Sequence, residues 1–219
     1  MQPAEKTVAG PADVRRSSSR KSRSSSRKRW DTTDLSLVAV FAALIAALAI
    51  VPGIPVGPLG VPITLQTLGV MLAGVVLGPG RGTAAVLLYL AAGLIGLPVF
   101  SGFSGGVGVL AGPSAGYLVA FPLAALVSGT LAVVVLRRAQ RFRAGLLFLS
   151  CVTASLLTIH PLGIAGLMLN AGLPLRDAIL VDAAYLPGDV IKNVAAAVLA
   201  VSVHRAFPRL LAGRRAPRD

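Results

Sequence analysis

The sequence predicts an all-α integral membrane protein with six transmembrane helices and with both termini in the cytoplasm. Hydrophobic residues make up 55% of its 219 residues, and charged residues make up 13%, about half the share found in globular proteins. The basic residues are also segregated, because nine of the 21 Lys and Arg precede Asp31, four lie in residues 137–143 and five follow Val203. Between these basic segments the chain is largely apolar, as membrane-spanning helices are.

Six apolar segments are predicted to cross the membrane. The first carries Ala39, Ala43 and Ala47 at four-residue spacing, and small residues at this spacing let another membrane helix approach closely. The second and third contain only 15 residues each, about 22 Å of helix, which is short for a hydrocarbon core of about 30 Å. The predicted spans are residues 35–51, 63–77, 83–97, 114–136, 144–170 and 187–204.

The connections between the spans differ in composition. Residues 52–62 contain four prolines and three glycines and cannot continue a helix. Residues 78–82 predict a tight turn that lacks the Lys and the spacing of a phosphate-binding loop. Residues 98–113 combine five glycines with two phenylalanines, so their backbone can approach a ligand closely while aromatic rings pack on it. Residues 171–186 mix charged and apolar residues and predict a short surface helix.

The placement of Lys and Arg predicts the orientation of the bundle. Cytoplasmic connections of membrane proteins carry an excess of basic residues. With the N-terminus inside, six spans place nine, one, four and five basic residues on the cytoplasmic side and leave Arg176 outside. The predicted location is therefore the plasma membrane, with residues 52–62, 98–113 and 171–186 external.

The two ends of the chain are basic and flank a membrane domain predicted at residues 35–204. Residues 1–34 are rich in Ser, Arg and Lys, and residues 205–219 are also basic. Segments of this composition bury too little apolar surface to fold, so we predict disordered cytoplasmic tails. Basic tails can bind nucleic acid or anionic lipid. A role in setting the membrane orientation already accounts for the basic residues of the N-terminal tail, so no nucleic-acid partner is expected.

A charged pair opens the last span. Asp189 and Lys192 lie three residues apart, on one helical face, at the start of an otherwise apolar run. Ionisable side chains in a membrane usually pair and face a polar cavity. An alternative is that Asp189 caps the helix N-terminus while Lys192 extends to the interface. The predicted orientation places the pair near the outer end of the bundle, beside the external loops of residues 52–62 and 98–113. This position favours a ligand pocket there. Gln66, at the start of the second span, either lines the same cavity or lies at the interface.

Three stretches of the chain resemble the BioY family of biotin transporters. They are residues 61–68 (VPITLQTL), residues 105–113 (GGVGVLAGP) and residues 187–192 (PGDVIK), and the resemblance extends over roughly residues 35–204. BioY proteins are the biotin-specific S components, or substrate-capture subunits, of energy-coupling factor (ECF) transporters. The resemblance implies six transmembrane helices and capture of biotin from outside. It also implies docking on a membrane coupling (T) subunit that is driven by two cytoplasmic ATPase subunits, with membrane lipid around the bundle.

The resemblance also implies roles for particular residues. Asp189 and Lys192 match the family's contacts to the biotin head group, and a carboxylate and an ammonium suit the N–H donors and carbonyl of a ureido ring. Phe100, Tyr89 and the glycine-rich backbone would hold the apolar rings and chain, while helix N-termini and Tyr117 remain alternatives for the carboxylate. The alanines of the first span would contact the coupling subunit. The expected biotin-binding residues are Asp189, Lys192, Phe100, Gly102, Gly105, Gly106, Tyr89, Tyr117, Gln66 and Asn170.

Other functions fit the residues less well. A proton-coupled transporter of another vitamin-like solute, with Asp189 as the proton carrier, would predict inverted internal repeats, and the first half has no counterpart of residues 187–192. An intramembrane enzyme would need His160 close to Asp189, and nothing in the sequence suggests this; a hydrogen-bonded histidine beside Pro161 is the simpler interpretation. A pure scaffold would leave residues 98–113 unexplained. A single cysteine and two histidines predict no disulfide, no metal site and no cofactor.

Overall fold

The computed structural model describes residues 30–56, 61–139, 141–208 and 210–211. Most residues of the two predicted tails, 1–34 and 205–219, lie outside this described part. The described residues form a helical bundle with one small β-hairpin. The elements are α1 (Thr32–Ile50), β1 (Ile54–Val56), β2 (Val61–Ile63), α2 (Gln66–Leu94), α3 (Ala115–Arg138), α4 (Arg143–Ala154), α5 (His160–Ala171), α6 (Leu175–Ala183) and α7 (Leu186–Ala206).

The first helix begins slightly before the predicted membrane domain. Asp31 caps α1, because its carboxylate accepts a hydrogen bond from the Asp34 N–H at 2.8 Å while the Asp34 carboxylate accepts one from the Asp31 N–H at 3.3 Å. This reciprocal capping satisfies helix-end donors that would otherwise be unpaired. Helix α1 thus begins at Thr32, three residues before the start predicted for the membrane domain.

Helix α2 is a hairpin of two antiparallel arms rather than one rod. Its backbone reverses at Gly78, where φ is 81° and ψ is 179°. The side-chain amide of Gln66 in the first arm donates to the hydroxyl of Tyr89 in the second arm at 2.7 Å, although 23 residues of straight helix would separate them by about 34 Å. The two short predicted spans are thus confirmed as separate crossings, and the turn is Gly78 rather than the whole of residues 78–82.

The described part of the chain therefore contains six helical segments that run through the bundle, one for each predicted crossing of the membrane. The crossings are α1, the two arms of α2, α3, the continuous stretch α4–α5 and α7. A π-helical turn, Ser155–Ile159, joins α4 to α5 without interrupting the stretch. The short helix predicted within residues 171–186 is also confirmed, as α6.

Small residues bring the helices of the bundle close together. A Cβ atom on Gly74 would lie 2.7 Å from the carbonyl oxygen of Ala125, and one on Gly116 would lie 2.9 Å from the Cα of Gly166. Glycine at these positions therefore sets the distance of α3 from α2 and from α5. The buried core runs through these contacts and contains many alanines, as is common in tightly packed membrane helices.

One end of the bundle is covered by irregular structure. The strands β1 and β2 pair in antiparallel register, with Ile54 opposite Ile63. Residues 98–113 form two short 3₁₀ turns, Ser101–Phe103 and Val107–Ala111, and Phe100 bridges Ser104. In the described part of the proline-rich connection, residues 52–56 and 61–62, the prediction of non-helical structure is confirmed, and residues 57–60 lie outside the described part. The strand pairing is not predicted from the composition. Together these segments cover the end of the bundle at which α7 begins.

A charged cavity beneath the loops

A cavity of about 400 Å³ lies between the loop-covered end of the bundle and the starts of α2, α3 and α7. Strand β2 and residues 98–113 also contribute to its wall, and so do Ile159 and Tyr185, which lies between α6 and α7. The sequence prediction of a pocket shared by the two loops and the start of the last span agrees with this geometry. The predicted binding residues that line the cavity are Gln66, Phe100, Gly102, Tyr117, Asp189 and Lys192.

Asp189 and Lys192 form a close ion pair in the cavity wall. The Lys192 Nζ lies 2.6 Å from Asp189 Oδ1 and donates to the backbone carbonyl of Thr64 at 3.2 Å. The Thr67 hydroxyl donates to the same carboxylate oxygen at 3.4 Å. The two charged residues are only 7% and 8% exposed. A pair buried this deeply is stable only when both charges are compensated, and here each has the other and a neutral partner on α2 or just before it.

The alternative roles for this pair are wrong. Helix α7 begins at Leu186 with Tyr185 at the N-cap, so Asp189 lies inside the first turn, and its side chain does not cap the helix. Lys192 does not extend towards an interface, because its ammonium is held between Asp189 and Thr64. The pair is therefore directed into the bundle.

The ion pair continues into a buried network. Asp189 Oδ2 lies 3.7 Å from Nε2 of His160, and Nδ1 of the same ring lies 2.8 Å from Asp182 Oδ2. The hydroxyl of Tyr117 donates to Asp182 Oδ1 at 2.9 Å. Asp182 and His160 are 5% and 6% exposed. The described residues contain no set of His, Cys, Asp or Glu that could hold a metal ion.

Sequence reasoning misses this extension of the site. The interpretation of His160 as a hydrogen-bonded residue beside Pro161 is confirmed. Its proximity to Asp189, of which the sequence gives no sign, is a finding of the structure. Asp182 belongs to a segment that its mixed composition assigns to the surface, yet it is buried against α5. A usable signal is the presence of ionisable residues in and beside apolar spans, which marks functional positions in membrane proteins. Their pairing depends on how α5, α6 and α7 meet.

Aromatic rings form the less polar part of the wall. Phe100 is 3% exposed and packs edge-to-face on Tyr89 behind it, with ring centroids 5.4 Å apart. Tyr117 and Tyr185 pack in the same way at 5.7 Å. The Tyr185 hydroxyl donates to the Val61 carbonyl at 3.1 Å and so ties the start of α7 to β2. Burial, with a further contribution from the Asp182 charge, raises the pKa of Tyr185 to about 12, so it remains a hydroxyl donor at neutral pH.

Four of the predicted binding residues do not line the cavity. Tyr89 lies behind it, accepting from Gln66 and donating to the Val99 carbonyl at 3.3 Å. Asn170 donates through its amide to the carbonyls of Leu110 and Gly112, both at 2.9 Å. In each case the polar group is used to fasten residues 98–113 to the bundle. The other two residues outside the lining are Gly105 and Gly106.

These two glycines shape the loop. A Cβ atom on Gly105 would lie 2.4 Å from the carbonyl oxygen of Leu97, so only glycine fits there. Gly106 has φ of 85°, and its N–H donates to the Gly93 carbonyl at 2.7 Å. The backbone approach expected of the glycines is thus made to the chain itself. Direct contact between these two residues and a ligand in the cavity is not supported by this arrangement.

The alanine stripe of α1 faces away from the rest of the chain. Ala39, Ala43 and Ala47 are exposed, whereas the adjacent stripe that includes Ala42 and Ala49 is buried. The two sets of alanines therefore serve different surfaces. The exposed set leaves a smooth helical face available to membrane lipid or to another membrane helix.

Six crossings around a loop-covered cavity with a buried ion pair define a membrane-embedded small-solute-binding bundle. The chain belongs to the BioY family, whose family model matches residues 20–209. It is 44% identical over 184 residues to the biotin transporter BioY of Rhizobium etli, and the alignment covers 82% of this chain and 97% of that protein. It is 42% identical over 190 residues to the biotin transporter BioY of Rhodobacter capsulatus, covering 83% of this chain and 98% of that one.

The fold also matches a solved structure. The crystal structure of the S-component for biotin from an ECF-type ABC transporter superimposes with a TM-score of 0.74 at 31% sequence identity. The match covers 79% of this chain and 91% of that chain. The predicted fold class, a six-helix bundle of the S-component type, is therefore confirmed. The BioY family is a family of transporter subunits, so the chain is not an enzyme.

Proposed function

We propose that this chain is the biotin-capturing S subunit of an ECF-type transporter and that biotin binds in the loop-covered cavity. The observation that carries this proposal is the Asp189–Lys192 pair in the cavity wall, in a chain whose relatives are biotin transporters over nearly their whole length. A volume of about 400 Å³ is in the range of roughly 300–1,000 Å³ that is usual for small-molecule sites.

The chemistry of the wall suits the two halves of biotin. A ureido ring offers two N–H donors and one carbonyl acceptor, and the Asp189 carboxylate and the Lys192 ammonium are complementary to them. The apolar thioether ring and valeryl chain would lie against Phe100, Phe121 and Ile159, which line the same cavity. Binding therefore exchanges part of the internal ion pair for charge-assisted hydrogen bonds to the ligand.

The carboxylate end of biotin is less constrained. Tyr117 is one candidate partner, but its hydroxyl proton is directed to Asp182. The other candidates are helix N-termini, and α3 begins at Ser114 in the cavity wall without a side-chain cap. The dipole of α3 favours an anion near its N-terminus, so we place the valerate carboxylate at this end of the cavity.

We further propose that the cavity opens to the outside and that both termini are cytoplasmic. The distribution of Lys and Arg supports this orientation. Transport of biotin inward would then require the coupling (T) subunit and two ATPase subunits, with the exposed alanine face of α1 as a contact for the T subunit. The proton-coupled alternative has weaker support, because Asp189 already neutralises Lys192.

The test is calorimetric titration of biotin into the detergent-purified chain alone. We expect tight binding at one biotin per chain. Lipoic acid, which shares the valerate chain and a sulfur-containing ring but lacks the ureido group, should bind far more weakly. Absence of biotin binding by a folded chain would refute the proposal, and equal affinity for both ligands would refute the role of the ion pair in ureido recognition.

A further inference from the structure

His160 lies between two carboxylates that belong to two other helices. Its Nδ1 is 2.8 Å from Asp182 Oδ2 of α6, and its Nε2 is 3.7 Å from Asp189 Oδ2 of α7. Asp189 and its partner Lys192 line the cavity, whereas His160 and Asp182 do not. The imidazole ring therefore connects the cavity wall to a second, deeper carboxylate that the proposed recognition of biotin does not use.

The local sequence directs this ring. Pro161 follows His160 and has no N–H to donate to the preceding turn, which disfavours regular α-helical pairing there. The chain forms the π-helical turn Ser155–Ile159 immediately before the histidine. This turn brings the Ser155 hydroxyl oxygen to 3.3 Å from His160 Nε2. Single π turns of this kind occur frequently at functional sites.

The hydrogen-bond partners determine which nitrogen carries the proton. An ionised carboxylate only accepts hydrogen bonds, so Asp182 requires a proton on Nδ1 of His160. The Tyr117 hydroxyl donates to the other Asp182 oxygen and holds that carboxylate in place. His160 Nε2 then faces the Ser155 hydroxyl at 3.3 Å and Asp189 Oδ2 at 3.7 Å. In the neutral ring it presents a lone pair to the Asp189 carboxylate, and in the imidazolium it presents an N–H donor.

Charge balance favours the second arrangement. The ionisable groups that face His160 from the packed elements are Asp182 of α6, Asp189 and Lys192 of α7, Tyr117 of α3 and Tyr185 between α6 and α7. With both tyrosines neutral, two carboxylates face one ammonium. A proton on the ring supplies the second positive charge, and an uncompensated buried charge is costly in a membrane bundle.

We propose that His160 and Asp182 are positioning residues for Asp189 and that the imidazolium form of His160 is the binding-competent form. The inference rests on the proposed capture of biotin. In this form the positively charged ring lies 3.7 Å from Asp189 Oδ2 and attracts the carboxylate, which then lies in place to accept from the ureido N–H. Loss of the proton removes this attraction, and biotin affinity falls as the pH rises through the titration range of the ring.

The experiment is calorimetric titration of biotin between about pH 5.5 and about pH 9, the range in which imidazoles titrate. The variants are His160→Gln and Asp182→Asn, and the matched control is His204→Gln. His204 is the second of two histidines in the chain. It contacts the Val75 carbonyl at 2.9 Å and lies fifteen residues, about 22 Å, along α7 from Asp189. Glutamine can keep that contact.

We expect the unmodified chain and His204→Gln to lose affinity roughly tenfold from the lower to the upper pH, because the buried ionic contact between His160 and Asp189 is lost. His160→Gln should bind weakly at every pH, with little remaining dependence of affinity on pH. Asp182→Asn should shift the pH at which the affinity falls. A flat profile for the unmodified chain would overturn the inference. So would a His160→Gln profile that runs parallel to that of the unmodified chain, since this indicates a structural role alone.

A second measurement covers the case in which His160→Gln does not fold. In the His204→Gln chain the remaining imidazole is that of His160, so its titration can be followed alone by NMR on protein with labelled histidine. Biotin should displace this titration, and an unchanged titration would overturn the inference. Failure of the proposed function is recognised separately, because the unmodified chain would then bind no biotin at any pH.

Discussion

At the scale of single residues, the ion pair between Asp189 and Lys192 determines the chemistry of the cavity. Their charged atoms are 2.6 Å apart and almost fully buried. Removing one partner deprives the other charge of its close counter-ion and removes one of the proposed contacts to biotin. We expect Asp189→Asn to weaken biotin binding by about 1.5–3 kcal/mol, the value of a hydrogen bond to a charged group.

Lys192→Ala should weaken binding by a similar amount, because it removes the proposed donor to the ureido carbonyl and the ammonium that pairs with Asp189. Both variants are measured by calorimetry beside Arg176→Ala, whose side chain is exposed on α6 and whose affinity should be unchanged. Wild-type affinity in Asp189→Asn and Lys192→Ala together would remove the pair from the binding site.

Tyr185 carries a stability effect of its own. Tyr185→Phe removes the hydrogen bond to the Val61 carbonyl, and we expect a loss of about 0.5–1.5 kcal/mol in unfolding free energy. Because the folded-state pKa of about 12 lies above the ordinary value of 10, the neutral hydroxyl is favoured. The contribution is therefore fully present below pH 10 and is lost as the pH rises towards 12. Thermal unfolding in detergent at neutral pH and at high pH measures it, and an identical difference at both would contradict the assignment.

At the scale of elements, the reversal at Gly78 decides whether α2 forms two crossings. Its φ of 81° and ψ of 179° lie in a region that is open almost only to glycine, with a cost of about 1–3 kcal/mol for other residues. Gly78→Ala should destabilise the bundle by this amount in thermal unfolding.

Gly80 provides the matched control, two residues later. It lies in the helical part of the second arm, and a Cβ atom there would meet nothing within 4 Å. Gly80→Ala should leave stability unchanged or raise it by up to about 1 kcal/mol, because alanine favours helix. Equal destabilisation by both substitutions would indicate that the backbone conformation of Gly78 is not the cause.

Helices can be predicted in this chain because their signals are local. Apolar runs, a glycine-proline turn and a basic connection mark all six crossings and α6 within the amino-acid sequence itself. The β-hairpin is not predictable, since β1 and β2 have three residues each and alternate too briefly to show a period. The π turn before His160 leaves no pattern of its own.

In the site, too, local features can be predicted from the sequence and contacts between distant residues cannot. Asp189 and Lys192 are predicted together because they lie one turn apart on the same helix. His160 and Asp182 are 22 residues apart, and their contact depends on α6 folding back against α5. Nothing in the sequence separates Phe100, which lines the cavity, from Gly105, which packs on Leu97. Which side of an irregular loop faces inward is a property of its tertiary contacts.

At the scale of the whole molecule, the proposed sites of biotin binding and of contact with the coupling subunit lie on different faces. The cavity lies beneath the loops, and the exposed stripe of Ala39, Ala43 and Ala47 lies along α1. Ala43→Trp should therefore leave biotin affinity of the isolated chain unchanged while lowering ATP-dependent biotin uptake at least several-fold in cells or vesicles that contain the coupling subunits, because a large side chain prevents close helix approach.

The control for this substitution is Val198→Trp, at an exposed position of α7. It adds a comparable side chain to a different membrane-facing surface, and uptake should be preserved. If Ala43→Trp transports normally, or if both substitutions abolish uptake equally, the alanine stripe of α1 is not the specific contact.

The α2 hairpin has a consequence for biosynthesis. Its arms, residues 66–77 and 79–94, are about 18 Å and 24 Å long, and neither matches a hydrocarbon core of about 30 Å as an isolated segment. Each arm also carries a polar group, Gln66 or Tyr89, that is satisfied by the other arm. A ribosome-bound chain that released the first arm into lipid alone would expose the Gln66 amide without a partner. We therefore expect the two arms to leave the translocon together, as a preformed pair.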